Sequence, residues 1–155
     1  MKILMVCLGN ICRSPLAEGI LQEKARLAGL NWMVDSAGTY KNHVGEAPHT
    51  LSQKVAKLNG IDISQQRSRH LQAADIESFD RIYAMAADVM DGIRAIYGAP
   101  LPEGKVQLFL EELYPGENRD VPDPWYGPEP GYHEVFHMIE QTCDAIIAKQ
   151  FTVQV

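Results

Sequence analysis

The chain has 155 residues, of which 46% are hydrophobic and 22% are charged, and this composition excludes a disordered or fibrous protein. Its length favours one domain spanning residues 1–155. The formal net charge of −6 argues against binding to nucleic acid or to an anionic membrane through the overall field of the protein, so any bound anion must be held by a local site.

The N-terminus and the cysteines bear on the compartment in which the protein works. The apolar run at residues 3–8 is too short for the core of a signal peptide and far too short to span a membrane. The chain has three cysteines and no C-x-x-C pair, which indicates neither a disulfide framework nor a structural zinc site. We therefore expect a cytoplasmic protein without membrane insertion.

Strand-like runs alternate with helix-like runs along the chain. The apolar run at residues 3–6 predicts a strand buried on both faces, and Ser14 followed by Pro15 predicts the N-cap and first position of a helix that ends near Leu27. Further strands are predicted at 32–36, 82–85 and 106–109, and further helices at 48–59, 88–97 and 132–149, the last after a Pro- and Gly-rich loop at 114–131. This alternation predicts an α/β fold, an open four-stranded, mostly parallel sheet with helices on both faces.

The loop after the first strand carries the strongest chemical signal. Residues 7–15 read Cys-Leu-Gly-Asn-Ile-Cys-Arg-Ser-Pro, and a loop between a buried strand and a helix N-terminus directs several backbone N–H groups at one anion. Gly9 and Asn10 tolerate the left-handed conformations of a tight anion nest, and the Arg13 guanidinium matches two phosphoryl oxygens. The same positive groups favour the thiolate of Cys7, a nucleophile for phosphorus. The sequence therefore predicts a phosphate-binding loop.

These residues resemble the signature Cys-x5-Arg-Ser-Pro of the low-molecular-weight protein tyrosine phosphatases. The resemblance covers nearly the whole chain, because Asp-Ser-Ala-Gly-Thr at 35–39 and Asp-Pro-Trp-Tyr-Gly at 123–127 stand in the order and at the spacing of the family. The segment Asp-Val-Pro at 120–122 looks more like the bacterial members. The chain is thus identified as a bacterial-type member of this family.

The resemblance implies a reaction and three catalytic residues. The reaction is hydrolysis of protein phosphotyrosine and of small aryl phosphates, without metal or other cofactor, through a phosphocysteine intermediate on Cys7. Arg13 and the loop amides would bind the phosphoryl group. Asp123 would act as general acid and then as general base, and its position between Pro122 and Pro124 places it in a rigid loop.

The resemblance also implies substrate-binding or phosphate-binding roles for Leu8, Gly9, Asn10, Ile11, Cys12, Ser14, Trp125 and Tyr126, with Ser36 in a supporting role. The two aromatic residues and Leu8 resemble the walls of the family's substrate slot, where a flat ring suits a phenyl phosphate. The alternative is that the aromatic pair only packs its loop onto the domain. The polar members of this set resemble the network that shapes the loop and steadies the thiolate.

Several positions refine or depart from the family pattern. Asn42 stands where the family often has an aromatic residue, and Gln66 stands where many members have a histidine of the polar network, so we expect altered substrate preference or activity. Relatives that act on phosphoarginine carry Thr where this chain has Ile11, which favours phosphotyrosine here. The resemblance implies a reversible disulfide between Cys7 and Cys12, although Cys12 could simply pack beneath the loop.

Other motifs support competing hypotheses. His133-Glu134-Val135-Phe136-His137 matches the H-E-x-x-H pattern of zinc proteases, but the apolar positions of the last helix place both histidines on its solvent face. An arsenate reductase would share this architecture, but it needs further cysteines, and residues 82–88 contain none. A phosphopeptide-binding module without catalytic activity would require neither a nucleophile nor an acid, so the presence of Cys7, Arg13 and Asp123 together argues against it.

The remaining expectations concern the surroundings of the site and its partners. Cys143 lies on the apolar face of the last helix and is expected in the core. Arg67, Arg69 and His70 form a basic cluster for which a solvated loop is a better interpretation than a substrate contact. The expected partners are phosphotyrosine-containing proteins and phosphate or other oxyanions, not nucleic acid, and the protein is expected to act as a monomer.

Overall fold

The computed structural model describes residues 1–152. Its elements are β1 (Lys2–Cys7), α1 (Arg13–Leu27), β2 (Met33–Gly38), α2 (Thr50–Leu58), α3 (Ala73–Ser78), β3 (Arg81–Ala84), α4 (Ala87–Tyr97), β4 (Val106–Leu108), a 3-10 helix (Phe109–Glu112) and α5 (Glu129–Thr152). No helix among the described residues is long and apolar enough to cross a membrane.

The four strands form one parallel sheet in the order β2-β1-β3-β4. The chain leaves β1 toward one edge of the sheet and returns after β2 to the other side of β1, so the strand order reverses between β1 and β3. In parallel α/β sheets, ligands bind in the crevice outside the carboxyl ends of the strands at such a point. The loops that follow Cys7 and Ala84 border this crevice, which is therefore the expected place of a site.

The core lies on both faces of the sheet. Ile3 and Met5 point to the face covered by α1, α2 and α5, whereas Leu4 and Val6 point to the face covered by α3 and α4, and all four side chains are fully buried. Burial on both faces explains why β1 is a continuous apolar run instead of an alternating one. The predicted open four-stranded parallel sheet with helices on both faces is confirmed.

The structure differs from the predicted elements at the start of α1 and in two short helices. Helix α1 begins at Arg13 with Cys12 at the N-cap position, so the prediction that Ser14 caps this helix and Pro15 opens it was wrong. Ser14 lies inside the first turn because its hydroxyl bonds to side chains of the neighbouring loop. The six-residue α3 and the 3-10 helix were missed, since elements this short carry little hydrophobic periodicity.

Candidate active site

Residues 7–13, which we call the phosphate loop, connect β1 to α1. Asn10 adopts a left-handed conformation with φ of 58°, as predicted for a tight anion nest. Gly9 does not have a positive φ, so the prediction that it is needed for its left-handed freedom was wrong. Glycine instead leaves room for a neighbouring side chain, because a Cβ on Gly9 would lie only 3.1 Å from Cδ2 of His43. The conformation of the loop thus depends on the positive φ of Asn10 and on the close contact between Gly9 and His43.

Cys7 lies at the start of a chain of side-chain hydrogen bonds. Its Sγ is 3.0 Å from Oγ of Ser14, and Ser14 accepts a 2.8 Å hydrogen bond from Nδ2 of Asn10. The same amide nitrogen donates to Oγ of Ser36 at 2.9 Å. Since Ser14 already accepts from Asn10, its own proton is available for the sulfur of Cys7. The structure therefore brings together the three polar residues that the sequence assigned to the network around the nucleophile.

The network ends at Glu18, a residue that the sequence reasoning did not single out. Oγ of Ser36 donates a 2.6 Å hydrogen bond to Oε1 of Glu18. Burial raises the pKa of this carboxyl from 4.5 to about 7, with Asp35 adding to the shift, while the bond from Ser36 and the charge of Arg69 oppose it. The sequence contained a signal for its position: Glu18 is four residues after Ser14 and three before Leu21, a spacing that places all three on one face of α1, and both neighbours are buried.

The two loop cysteines occupy different environments. Both are buried free thiols. Burial raises the pKa of Cys12 to about 12, and its closest side-chain partner is the hydroxyl of Tyr132 at 3.9 Å. Cys12 is therefore a protonated thiol at neutral pH. Cys7 instead faces the hydroxyl of Ser14, at the end of β1 and beside the N-terminus of α1.

Arg13 joins the phosphate loop to residues 120–127, which we call the acid loop. Arg13 is 3% exposed, and Nη1 of its guanidinium donates a 3.0 Å hydrogen bond to the backbone carbonyl of Val121. Its Nη2 lies 3.7 Å from Oδ2 of Asp123, whose side chain is 40% exposed. Oδ1 of Asp123 accepts a 3.1 Å hydrogen bond from the backbone N–H of Trp125. Two remote segments thus place a thiol, a guanidinium and a carboxyl around one cavity.

That cavity has a volume of about 300 Å³, and most of the predicted site residues line it. Its lining comprises Cys7, Leu8, Gly9, Ile11, Cys12, Arg13, Tyr40, Asn42, His43, Asp123, Trp125 and Tyr126. Asn10, Ser14 and Ser36 lie behind this lining and reach the cavity through their hydrogen bonds. Tyr40 and His43, which the sequence did not nominate, are part of its wall.

The aromatic wall is built around Trp125. The ring of Trp125 lies 5.3 Å from the rings of both His43 and His49, measured between centroids. His49 stacks on Tyr132 at 5.1 Å, and its backbone N–H donates to the carbonyl of Ile11 in the phosphate loop. Tyr126, by contrast, is 95% exposed. The two aromatic residues of the predicted pair therefore differ: Trp125 is packed in place, and Tyr126 projects into solvent.

Gly38 at the end of β2 lies against the phosphate loop and was not predicted to matter for it. A Cβ at this position would meet the carbonyl oxygen of Leu8 at 2.6 Å and backbone atoms of Gly9 and Asn10 at 2.9 and 3.0 Å. A contact of this kind needs the register of two strands, so it cannot be read from the sequence alone. Only glycine allows the loop to lie this close to β2.

Of the two positions that depart from the family pattern, Asn42 lines the cavity, and Gln66 lies outside the hydrogen bonds around Cys7. Nε2 of Gln66 donates to the carbonyl of Pro15, and Oε1 of Gln66 is buried without a hydrogen-bond partner among residues 1–152.

Arg69 is not the solvated residue that we predicted. It pairs with Asp35 and Asp75, and its backbone N–H donates to Oδ1 of Asn10, so it supports the phosphate loop.

The remaining motifs lie away from the cavity. His133 and His137 are on the outer side of α5, as predicted, and their charged neighbours there are Glu129 and Glu140. Within residues 1–152, no group of three potential ligand side chains is placed to hold a metal ion. Cys143 is fully buried in the core, as predicted.

Comparison with known proteins shows the family to which this chain is similar. The family model described as low molecular weight phosphotyrosine protein phosphatase matches residues 2–154. The low molecular weight protein-tyrosine-phosphatase YfkJ of Bacillus subtilis is 34% identical, with 95% of this chain and 94% of that protein aligned. Its crystal structure matches with a TM-score of 0.90 at 32% identity and covers 100% of this chain and 97% of the other.

Two further solved structures share the fold. Wzb of Vibrio vulnificus, solved with benzylphosphonate, matches with a TM-score of 0.85 at 30% identity, covering 96% of this chain and 97% of Wzb. The arginine phosphatase YwlE, solved as a mutant with a phosphorylated active-site serine, matches with a TM-score of 0.87 at 28% identity, covering 96% of this chain and 95% of the other. The chain therefore belongs to the low molecular weight phosphotyrosine protein phosphatase family, and it is a phosphatase.

Proposed function

We propose that this protein hydrolyses phosphotyrosine in proteins through a phosphocysteine intermediate on Cys7. The observation that carries the proposal is the convergence of Cys7, Arg13 and Asp123 on one cavity, from two segments more than a hundred residues apart. Each of the three supplies a different requirement of phosphoryl transfer: a nucleophile, a bidentate donor for the phosphoryl oxygens and a proton donor.

In the first step, the thiolate of Cys7 attacks phosphorus, and the bond between phosphorus and the phenolic oxygen breaks. A thiolate can only accept a hydrogen bond, so in this step the hydroxyl of Ser14, 3.0 Å away, donates to the sulfur. Arg13 and the backbone N–H groups of the phosphate loop hold the equatorial oxygens, on which charge accumulates in the transition state. Protonated Asp123 gives its proton to the departing phenolate.

In the second step, a water molecule replaces the tyrosine and attacks the phosphocysteine. Asp123, now a carboxylate, accepts a proton from this water, in accordance with microscopic reversibility. The bond between sulfur and phosphorus breaks, inorganic phosphate leaves, and the thiolate of Cys7 and the proton on Asp123 are restored. The phosphorylated active-site serine of the YwlE mutant is a precedent for a phosphoryl group on the nucleophile of this fold.

The shape of the cavity supports an aryl substrate. Leu8 and Ile11 of the phosphate loop and Trp125 of the acid loop supply apolar walls of the cavity, and a phenyl ring gains stability from stacking in such a slot. The benzylphosphonate bound by Wzb is a ligand of this shape. A guanidinium-linked phosphate would instead bring a cationic, hydrogen-bonding group against Ile11, where its N–H groups would lose hydrogen bonds to water. We therefore assign phosphotyrosine and not phosphoarginine as the substrate.

The first experiment measures hydrolysis of 4-nitrophenyl phosphate by the intact protein and by Cys7→Ser, with and without EDTA. We expect activity that is unchanged by EDTA and lost by at least about a thousandfold in Cys7→Ser. Rapid quenching of the intact protein during turnover should show a phosphoryl adduct on Cys7 by mass spectrometry, whereas Cys12→Ser should keep that adduct on the same residue. Activity retained in Cys7→Ser, or lost in EDTA, would overturn the thiolate mechanism.

A second experiment addresses the substrate. Peptides of one sequence, carrying phosphotyrosine, phosphoserine or phosphoarginine at the same position, are compared by kcat/KM. The proposal predicts that the phosphotyrosine peptide is preferred by at least a hundredfold over the other two. A preference for phosphoarginine would contradict the assignment drawn from Ile11. Turnover of arsenate with a thiol, and not of any phosphopeptide, would favour a reductase of the same architecture.

A further inference from the structure

We propose that Asp120 is a positioning residue, whose carboxylate ties the acid loop to the N-terminus of α4 and thereby fixes the place of Asp123. The inference rests on the proposed function, in which Asp123 protonates the leaving group. Asp120 does not line the cavity and is not expected to touch the substrate. Its effect would be exerted through the backbone of the acid loop.

The carboxylate of Asp120 occupies a helix terminus that its own sequence leaves uncapped. Helix α4 begins at Ala87, and the N-cap residue Ala86 has no side chain that can accept a hydrogen bond. Oδ1 of Asp120 accepts a 2.9 Å hydrogen bond from the backbone N–H of Ala87, from 33 positions further along the chain. A carboxylate here also interacts favourably with the positive end of the helix dipole. Asp120 therefore acts as the cap of α4 from a distant segment.

The next residue continues the attachment. The N–H of Val121 donates a 2.8 Å hydrogen bond to the carbonyl of Met85, and the carbonyl of Val121 accepts from Arg13. The Val121 side chain is fully buried. Two consecutive residues of the acid loop are thus bonded to the end of β3, to the start of α4 and to the phosphate-binding guanidinium. These two residues lie three and two positions before Asp123.

Beyond this attachment, Asp123 has few restraints of its own. Its side chain is 40% exposed, its contact with Arg13 is 3.7 Å long, and its hydrogen bond from Trp125 stays within the acid loop. A substrate phosphoryl group would compete with Asp123 for the guanidinium of Arg13. The bond between Asp120 and Ala87 then remains to hold the loop, together with Val121. Loss of the Asp120 bond should therefore reduce the fraction of time in which Asp123 stands ready to protonate the leaving group.

The two partners of this bond can be removed separately. Asp120→Ala removes the acceptor, and Asp120→Asn keeps an oxygen in its place. Ala87→Pro removes the N–H donor, and proline is favoured at the first position of a helix, while the extended backbone of Ala86 suits a residue before proline. Asp88→Ala is the matched control, because Asp88 is an exposed acid in the first turn of the same helix but outside the acid loop.

The readout is the dependence of kcat/KM on the leaving group, because kcat/KM reports on the steps up to departure of the phenol and not on the later hydrolysis of the phosphocysteine, in which Asp123 also takes part. Phenyl phosphate releases a phenolate as basic as that of tyrosine, with a pKa of about 10, and needs the proton from Asp123, whereas 4-nitrophenolate leaves readily as the anion. We expect Asp120→Ala and Ala87→Pro each to lower kcat/KM for phenyl phosphate by about threefold to tenfold. For 4-nitrophenyl phosphate, kcat/KM should stay within twofold, and so should the inhibition constant of inorganic phosphate. Asp120→Asn and Asp88→Ala should resemble the unmodified protein with both substrates.

Combining Asp120→Ala with Ala87→Pro should add no further loss, because both changes remove one bond. Equal losses with both aryl phosphates, or no loss with phenyl phosphate, would overturn the positioning role. If Asp120→Ala does not fold, Ala87→Pro and Asp120→Asn decide the question alone. Asp123→Asn in the same series separates this inference from the proposed function: if that variant shows no dependence on the leaving group, the assignment of Asp123 as the acid fails instead.

Discussion

The hydroxyl of Ser36 donates a 2.6 Å hydrogen bond to Oε1 of Glu18, which joins a half-buried carboxyl on α1 to the hydrogen bonds that reach Cys7. This bond holds Ser36 as a donor toward Glu18 and leaves its oxygen to accept from Asn10. The orientation of the Asn10 amide, and through it that of Ser14, is thus supported from beneath the phosphate loop. The arrangement places an ionisable group under the site without exposing it to the substrate.

Glu18 should make the stability of the protein depend on pH. Its pKa is about 7 in the folded protein and near 4.5 in the unfolded chain, so the folded state holds a proton that the unfolded state has already lost between these values. The contribution of Glu18 to stability therefore declines as pH rises from about 4.5 to about 7. Each unit of this pKa difference corresponds to about 1.4 kcal/mol, so the loss of stability is at most about 3 to 4 kcal/mol.

Glu18→Gln tests this dependence. The variant keeps an oxygen for Ser36 but cannot ionise, so it should exceed the unmodified protein in free energy of unfolding by about 1 to 3 kcal/mol at pH 8. The difference should shrink toward zero at pH 4.5. Urea unfolding at both pH values measures it. Glu23→Gln is the control on the same helix: it removes a half-exposed acid whose surface ion pair with Arg26 contributes little, so it should stay within about 0.5 kcal/mol of the unmodified protein at both pH values. A difference that is independent of pH would contradict the raised pKa of Glu18.

Asn10 combines two separable contributions to the phosphate loop. Its left-handed backbone favours glycine or asparagine, and its side chain bonds to Ser14, to Ser36 and to the backbone N–H of Arg69. Asn10→Gly keeps the backbone freedom and removes the bonds, so it should lower kcat/KM for 4-nitrophenyl phosphate by about tenfold or more. Asn10→Ala removes both and should be less stable than Asn10→Gly by about 1 kcal/mol.

Thermal unfolding and steady-state kinetics of the two Asn10 variants separate these contributions. If the side-chain bonds matter for the nucleophile, both variants lose activity, and only their stabilities differ. Equal stability of the glycine and alanine variants would show that the positive φ of Asn10 carries no cost. Full activity in Asn10→Gly would show that the amide does not orient Ser14 toward Cys7.

Gly38 should tolerate no side chain. An alanine Cβ at this position would lie 2.6 Å from the carbonyl oxygen of Leu8, and the obstacle is backbone that cannot rotate away. Gly38→Ala should therefore displace the phosphate loop, weaken inhibition by inorganic phosphate at least tenfold and lower kcat/KM by about a hundredfold. Gly131→Ala is the control, since a Cβ there meets no atom within 4 Å. It should leave activity unchanged and stabilise α5 by about 0.5 to 1 kcal/mol.

The sequence predicts best what lies within one continuous segment. The phosphate loop directly follows the apolar run of β1 and directly precedes α1. Its glycine and arginine at that place in the chain already indicate an anion site. Burial of β1 on both faces is likewise visible as an unbroken apolar run. The resemblance to a family adds Asp123, which no local pattern could have linked to Cys7.

The relationships that the sequence does not reveal depend on register and on contacts between distant segments. Gly38 faces the phosphate loop only because it pairs with Cys7 in the register of β1 and β2. Asp120 caps α4 across 33 positions, and Arg69 supports Asn10 from another segment 59 positions away. The wrong prediction for Ser14 has the same origin: a hydroxyl typical of an N-cap bonds instead to two side chains of the folded loop.

Trp125 should contribute to substrate binding more than Tyr126 does. The Trp125 ring is held between His43 and His49, whereas Tyr126 is almost fully exposed. Because ring stacking is worth about 0.5 to 1.5 kcal/mol, Trp125→Ala should raise KM for phenyl phosphate about threefold to tenfold with kcat within about threefold. Tyr126→Ala should change KM by less than twofold. Inhibition by inorganic phosphate, which has no ring, should be unchanged in both variants, and an equal rise in KM for both would contradict the distinct roles assigned to the two aromatic residues.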